Sequence, residues 1–169
     1  MAIFYKVGGC VRDKILGIES KDIDYAVEVP SFEAMREAIL ARGGRIFVES
    51  PEHFTIRAHI PELGACDYVV TRKEGPYSDG RHPDWVKVGT IVDDLARRDF
   101  RMNAIAERED GIIFDPHYGR EDIEDRLIQC VGNPFDRFTE DRLRPFRAVR
   151  FAVQKNFHIV ADVQRAIKS

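Results

Sequence analysis

The sequence predicts an α+β chain: a mixed sheet-and-helix part to about residue 134, then a short all-helical stretch. Three observations carry this. Short apolar runs recur through the first part, each closed by glycine or proline. A capped helical period separates two of those runs. At Gly132-Asn133-Pro134 the pattern changes to helical spacing.

Taken in order, Ile3–Val7 is a buried strand running into a tight turn at Gly8-Gly9, and Val11–Leu16 is a short helix stopped at Gly17. Ile23–Val29 reads as a second strand. Ser31 then N-caps a helix with apolar positions Phe32, Met35, Ile39 and Leu40, ended by Gly43-Gly44. Arg45–Val48, Phe54–His59 and Cys66–Thr71 are further strands. The stretch from Gly75 to Asp84 holds Gly75, Pro76, Gly80 and Pro83 among polar residues and reads as a mobile loop. Met102–Ala106, Ile112–Phe114 and Leu127–Val131 complete the apolar runs. Thr139 is the expected N-cap of a helix reaching about Gln154, and Ala161–Lys168 is helical.

The 169 residues allow one domain, or one with a small appendage, and 44% hydrophobic with 33% charged residues is an ordinary globular balance. Lys and Arg number 26 against 29 Asp and Glu, a net charge of −3, so any nucleic-acid or phosphate binding must come from a local basic patch. No run approaches the roughly 18 apolar residues of a membrane span, and the start of the chain is too short for a signal-peptide core. Three sparse cysteines, Cys10, Cys66 and Cys130, without CxxC spacing, argue against a disulfide framework or zinc site. They point to a reducing, cytoplasmic compartment.

Five clusters can carry chemistry. In Asp22-Ile23-Asp24, residues two apart on a strand share a face, so the carboxylates project together. They are either solvated acids at a strand end or a pair awaiting cations. Gly8-Gly9, between strand and helix, is either a tight turn or bare backbone for a phosphate, with Arg12 as anchor. Asp67 is an edge-strand acid, or a third carboxylate if its strand neighbours that of Asp22 and Asp24. Arg98 can clamp phosphate or pair with Asp99, in a knot where Asn103 can hold loop backbone. On the last helix Asp141, Arg144, Arg147 and Arg150 fall three apart in an oblique row, either a solvated face or a selective one. Cytosine and adenine each present an exocyclic amine beside a ring-nitrogen acceptor, so one carboxylate and one guanidinium can accept both and refuse guanine and uracil. Arg147 and Arg150 are then left for phosphates.

In this order, Gly8–Asp13 (GGCVRD), Asp22–Tyr25 (DIDY), Asp67–Glu74, Asp93–Phe100 with Asn103-Ala104 (DDLARRDF…NA), Asp115-Pro116 and Glu140–Phe151 (EDRLRPFRAVRF) resemble the class II CCA-adding tRNA nucleotidyltransferase and bacterial poly(A) polymerase family. That family lies in the polymerase β-like nucleotidyltransferase superfamily, and the resemblance runs nearly end to end. It implies a mixed or antiparallel sheet flanked by helices, with a catalytic head over 1–134 and the beginning of a helical neck over 135–169. It implies addition of C and A to tRNA 3′ ends from CTP and ATP, with pyrophosphate released and two Mg²⁺ held by Asp22 and Asp24. Asp67 would assist. Gly8, Gly9, Arg12, Arg98, Arg147 and Arg150 would hold the nucleotide, Asp141 and Arg144 would select the base, and Gly75–Asp84 corresponds to a loop that switches from C to A.

Two features depart from the pattern. Pro145 falls inside the expected helix, where it costs about 3 kcal/mol. Family members also continue into body and tail regions that grip tRNA, so the reading expects a fragment or a minimal protein with weak tRNA affinity.

Overall fold

A computed structural model describes residues Met1–Ser169. Strand β1 (Ile3–Val7) ends at Gly8, whose φ of +73° only glycine adopts freely, and α1 (Gly9–Ile15) follows at once. Strand β2 (Asp24–Glu28) leads to α2 (Phe32–Ala41), with Ser31 accepting the Ala34 amide as the expected N-cap. Phe32, Met35 and Ile39 are buried, whereas Leu40 is exposed, one position off the inward stripe. Three antiparallel strands follow: β3 (Arg45–Ser50), β4 (Thr55–Ile60) and β5 (Gly64–Val70).

Strands β6 (Arg72–Glu74) and β7 (Val86–Val88) pair across the loop that contains Gly75–Asp84. Helix α3 (Ile91–Ala96) starts in a capping box between Thr90 and Asp93. A 3₁₀ turn over Arg101–Asn103, β8 (Ala106–Arg108) and β9 (Ile113–Phe114) come next. Then follow α4 (Gly119–Glu124), β10 (Leu127–Ile128), α5 (Pro134–Glu140), α6 (Arg144–Lys155), β11 (His158–Ile159) and α7 (Ala161–Lys168).

The main sheet has seven strands in the order β3-β4-β5-β2-β1-β8-β9. Only β2 and β5 run parallel, so the sheet is mixed and helices flank it, as the α+β reading expects. Helix α2 closes one face, where Met35 and Ile39 pack with Ile56, Ile60 and Tyr68. Helix α3 covers the other face only over β1, β2 and β8, through Ile91 and Leu95 against Tyr5, Val7, Ala26 and Ala106. A third cluster joins Cys10, Val11 and Phe100 to Phe138, Phe151, Phe157 and Val163, so one core runs continuously across residue 134. All three cysteines are buried free thiols. No helix is long and apolar enough to cross a membrane.

Four expectations are corrected. The helix of the last segment does not begin at Thr139. Asn133 caps α5 instead, with Pro134 in its first turn, and Thr139 lies inside that helix. Pro145 consequently sits in the first turn of α6, where no intrahelical N–H is lost, and the expected cost disappears. The strand over Leu127–Val131 shrinks to β10, because its partner is the two-residue β11, a strand inside the stretch expected to be all helical. Asp22 precedes β2 rather than lying in it.

The packing of α4 carries a pH dependence. Asp122 is 2% exposed, accepts from Gln129 Nε2 at 2.8 Å and lies 3.1 Å from Arg101. Its Oδ2 has no partner. Burial pushes its pKa up to about 6 against the pull of Arg101 and Gln129. Between its unfolded value near 4 and about 6 the folded chain therefore holds the extra proton, and stability falls as pH rises through that window. Asp122→Asn is expected to remove this part of the decline, so urea midpoints of variant and native chain diverge in the variant's favour from pH 4 to 7. Parallel curves would contradict the assignment.

Candidate active site

The site is assembled around β2 and its two neighbours. Asp24 is the first residue of β2 and stands in register with Asp67 on β5 and with Val7 on β1. Parallel pairing of β2 with β5 thus brings the two carboxylates side by side, the condition on which a third carboxylate depended. Asp22, two residues earlier, is close enough to act on Asp24 electrostatically. Desolvation, then Asp67 and Asp22, hold the Asp24 carboxyl above the usual carboxylate range, against Arg98 and Arg57. The cluster holds more negative charge than the protein neutralises. Asp67 is itself bound by Arg57 at 3.0 Å.

Beside Asp24, on the β1 side, lies Arg98, two residues past the end of α3. Arg98 Nη1 would stand 3.1 Å from a Cβ at Gly8, so the bare glycine leaves room for the guanidinium. Arg98 does not pair with Asp99, whose carboxylate is taken by Arg147 instead. Its partner is Asp94, four residues back, at 2.9 Å. Asp94 is buried and also takes Arg97 at 3.0 Å and the Arg72 amide at 3.3 Å. Burial works against its charge, but Arg98 and Arg97 hold its carboxyl below the usual range. The Nε of Arg98 is buried without a partner. A cleft of about 330 Å³ opens between Asp24, Asp67, Arg72, Asp94, Arg97 and Arg98.

Arg12 is buried. Its Nε donates to Asp13 at 2.9 Å and its Nη1 to Asn103 at 2.7 Å, so the anchor expected for a phosphate is tied into the protein. Asn103 donates in turn to Asp99 at 3.4 Å, and Asp99 accepts Arg147 Nε at 2.7 Å. Asn103 thus holds side chains rather than loop backbone. Arg12, Arg147 and Arg150 place their guanidinium carbons 5.2, 5.4 and 5.1 Å from the Phe151 ring. Three cations share one aromatic seat, and Arg150 alone of them makes no ion pair.

The oblique row is broken at its first member. Asp141 is the C-cap of α5 with extended backbone, and its Oδ1 accepts the Leu143 amide at 2.9 Å. Arg144 opens α6 and is buried, donating to Glu140 at 2.8 Å and to the carbonyls of Arg137 and Arg97, both at 3.1 Å. Its guanidinium carbon lies 5.8 Å from the Tyr77 ring. A second cleft of about 180 Å³ there is lined by Glu74, Tyr77, Arg97, Arg137 and Glu140 among others. Asp94, Glu74 and Tyr77 lie inside segments that the sequence singles out without a role for them, and Arg57 lies outside those segments. For Asp94 the i,i+4 spacing to Arg98 was the available signal, and for Arg57 the alternation of Thr55–Ile60.

A profile described as the poly A polymerase head domain matches residues 4–129. The CCA-adding enzyme of Geobacillus thermodenitrificans is 41% identical over 164 residues, 96% of this chain and 39% of that protein. That of Levilactobacillus brevis is 42% identical over 167 residues, 98% of this chain and 40% of that protein. The crystal structure of the Bacillus stearothermophilus CCA-adding enzyme in complex with CTP superposes with a TM-score of 0.82 at 34% identity, covering 98% of this chain and 38% of that one. A tRNA nucleotidyltransferase complexed with a primer tRNA and an incoming ATP analog gives 0.78 at 30%, covering 99% and 46%. The chain spans about two fifths of the length of the curated relatives it matches.

Proposed function

We propose, from the premise that this chain belongs to the poly(A) polymerase head-domain family, that it carries the catalytic site of a template-independent RNA nucleotidyltransferase adding C and A to tRNA 3′ ends from CTP and ATP. The single observation that carries the reading is the in-register pair Asp24–Asp67 facing Arg98 over the bare backbone of Gly8. The relatives are named CCA-adding enzymes, and solved neighbours hold CTP, or a primer tRNA with an ATP analog.

The carboxylate cluster fits Mg²⁺. Its donors are hard oxygens, its charge is under-neutralised, and no third ligating side chain converges to make an all-protein cage. Mg²⁺ is commonly held by one or two carboxylates together with substrate phosphates. Asp22 and Asp24 would hold the two ions, which supply charge neutralisation of the triphosphate and a more acidic 3′-hydroxyl.

The chain's own residues do the rest. Arg98, fixed by Asp94, and the backbone at Gly8 and Gly9 hold the triphosphate. Arg147 and Arg150 extend that positive surface from the Phe151 seat, and Arg12 positions it through Asn103 and Asp99. Asp67 takes the proton of the attacking hydroxyl on a carboxylate oxygen as the new phosphodiester forms and pyrophosphate leaves. Asp141 and Arg144 read the base edge, beside the cleft that Tyr77 closes. Residues 1–134 form the catalytic head and 135–169 the start of a nucleotide-selecting neck, the two sharing one core.

The test supplies Mg²⁺, tRNA lacking its 3′ CCA, and each labelled nucleotide separately, then CTP with ATP. Two C and one A added in order support the reading. C alone or A alone gives a partial-activity relative, and binding without incorporation gives a nucleotide-binding module. In the same assay Asp141→Ala, which leaves the buried Arg144 in place, is expected to cost about tenfold in preference for CTP and ATP over UTP and GTP, the worth of one hydrogen bond. Unchanged preference would put base selection elsewhere.

A further inference from the structure

We infer that the uncovered half of the main sheet, over β5, β4 and β3, is the shelf along which the single-stranded 3′ end of the acceptor RNA lies. The inference rests on the proposed transfer reaction and adds where its second substrate is held. Register builds one continuous row across four strands: Asp24 pairs with Asp67, Asp67 with Arg57, and Arg57 with Val48. His59 and Arg45 pair in the adjacent row. These side chains share one face, because the alternate residues Ile56, Ala58 and Ile60 are buried under α2 on the other.

Helix α3 stops short of this half of the sheet, so the shelf faces solvent. The Arg57 side chain is 54% exposed. A register shift between Ile46 and Val48 turns Phe47 and Val48 outward together, 50% and 56% exposed, where regular alternation would hide one of them. The Arg45 guanidinium carbon lies 5.8 Å from the Phe47 ring. Glu49, the nearby acid of β3, is opposite buried Ile56 and turned to α2, where it binds Arg36 at 2.6 Å. Arg45 and His59 have no acidic partner. Cationic side chains around an exposed aromatic ring form the platform that single-stranded nucleic acid stacks on.

Geometry gives the direction. In an in-line displacement the attacking hydroxyl and the leaving pyrophosphate stand on opposite sides of the phosphorus. Arg98 and Gly8 lie on the β1 side of Asp24, and Asp67, Arg57 and the shelf lie on the β5 side. The leaving group belongs with the arginines, so the hydroxyl arrives over β5. Arg57, which now holds Asp67, is placed to exchange that carboxylate for the last phosphate of the RNA.

The experiment measures binding of a fluorescein-labelled single-stranded RNA dodecamer over a range of salt without Mg²⁺, and nucleotide KM separately. Arg45→Gln and Arg57→Gln should each weaken RNA binding and flatten the log–log salt slope by about 0.7. Phe47→Ala should weaken it about fivefold or more. Arg57→Lys should restore the slope, and in Arg45→Gln and Phe47→Ala the KM for CTP should not move. All these side chains are exposed, so circular dichroism should match the native chain. Unchanged RNA affinity and slope in all three variants would overturn the shelf, as would a rise in nucleotide KM of the same size in Arg45→Gln or Phe47→Ala. So would a Phe47→Ala effect on sedimentation in place of RNA binding, which would make the face a contact between protein copies. A native chain that adds no nucleotide fails the transfer reading in its own assay, whereas one that adds nucleotide equally well with every variant fails the shelf alone.

Discussion

Asp24→Asn is expected to lower nucleotide incorporation by about 10³-fold or more while leaving the fold intact. The magnitude is that of several kcal/mol of transition-state charge stabilisation, at about 1.4 kcal/mol per tenfold. Asp24 is the one carboxylate in register with Asp67, within the influence of Asp22 and facing Arg98. Its loss removes the centre of the cluster, whereas Asp22, which precedes β2, lies at its margin. The same substitution relieves repulsion among three acids that only Arg57 and Arg98 offset, so the melting temperature should hold or rise. Activity and stability would then move in opposite directions, as expected where charge is concentrated for function. Parallel tests of incorporation and thermal melting check it. Retained incorporation would remove Asp24 from the reaction, and a large loss of stability would make it a structural residue.

Gly119→Ala is expected to destabilise the chain by about 3 kcal/mol, the upper end of overpacking costs. For a protein of this size that corresponds to a fall in melting temperature of about 6–12 °C. A Cβ at Gly119 would stand 2.0 Å from the Arg101 carbonyl oxygen and 2.9 Å from Ile105. Neither side can yield readily. The Gly119 and Arg120 amides are pinned by Asp115 at 2.7 and 3.0 Å, and the carbonyl belongs to the 3₁₀ turn that carries Asn103. Relief of the clash must displace that turn, and with it the acceptor that holds Arg12. Weakened nucleotide binding in whatever fraction stays folded is therefore part of the same prediction, measured by melting and by nucleotide titration. A melting temperature within 2 °C of the native chain would show that the contact relaxes cheaply.

Much of this was legible in the residues. The run Ile3–Val7, the Ser31 cap and the Ala161–Lys168 helix appear as read, because each is set by local chemistry. The meeting of Asp24 with Asp67 was conditional on strand adjacency, which no local pattern encodes. Helix α3 was hidden because Asp93–Phe100 is so densely charged that its Thr90–Asp93 capping box reads as one more polar pair. The start of the last helices was misplaced because Thr139 and Asn133-Pro134 compete as start signals, and a proline in the first turn is the stronger. That one displacement put Asp141 on a helix it does not join and made Pro145 a defect it is not. Partners far apart in sequence, such as Asp99 with Arg147 and Arg12 with Asn103, become visible only when the chain has folded.

The core that runs from Cys10 and Phe100 to Phe151 and Val163 limits modularity. The helices that carry Arg144, Arg147 and Arg150 share their apolar interior with the carboxylate-bearing part, so neither half melts or hinges without exposing the other. Amide exchange should report them as a single cooperative unit. Exchange of residues 135–169 between relatives is then no graft of an interchangeable cassette: a donor segment must match the faces of α1 and the Phe100 turn before its arginines can align with Asp24.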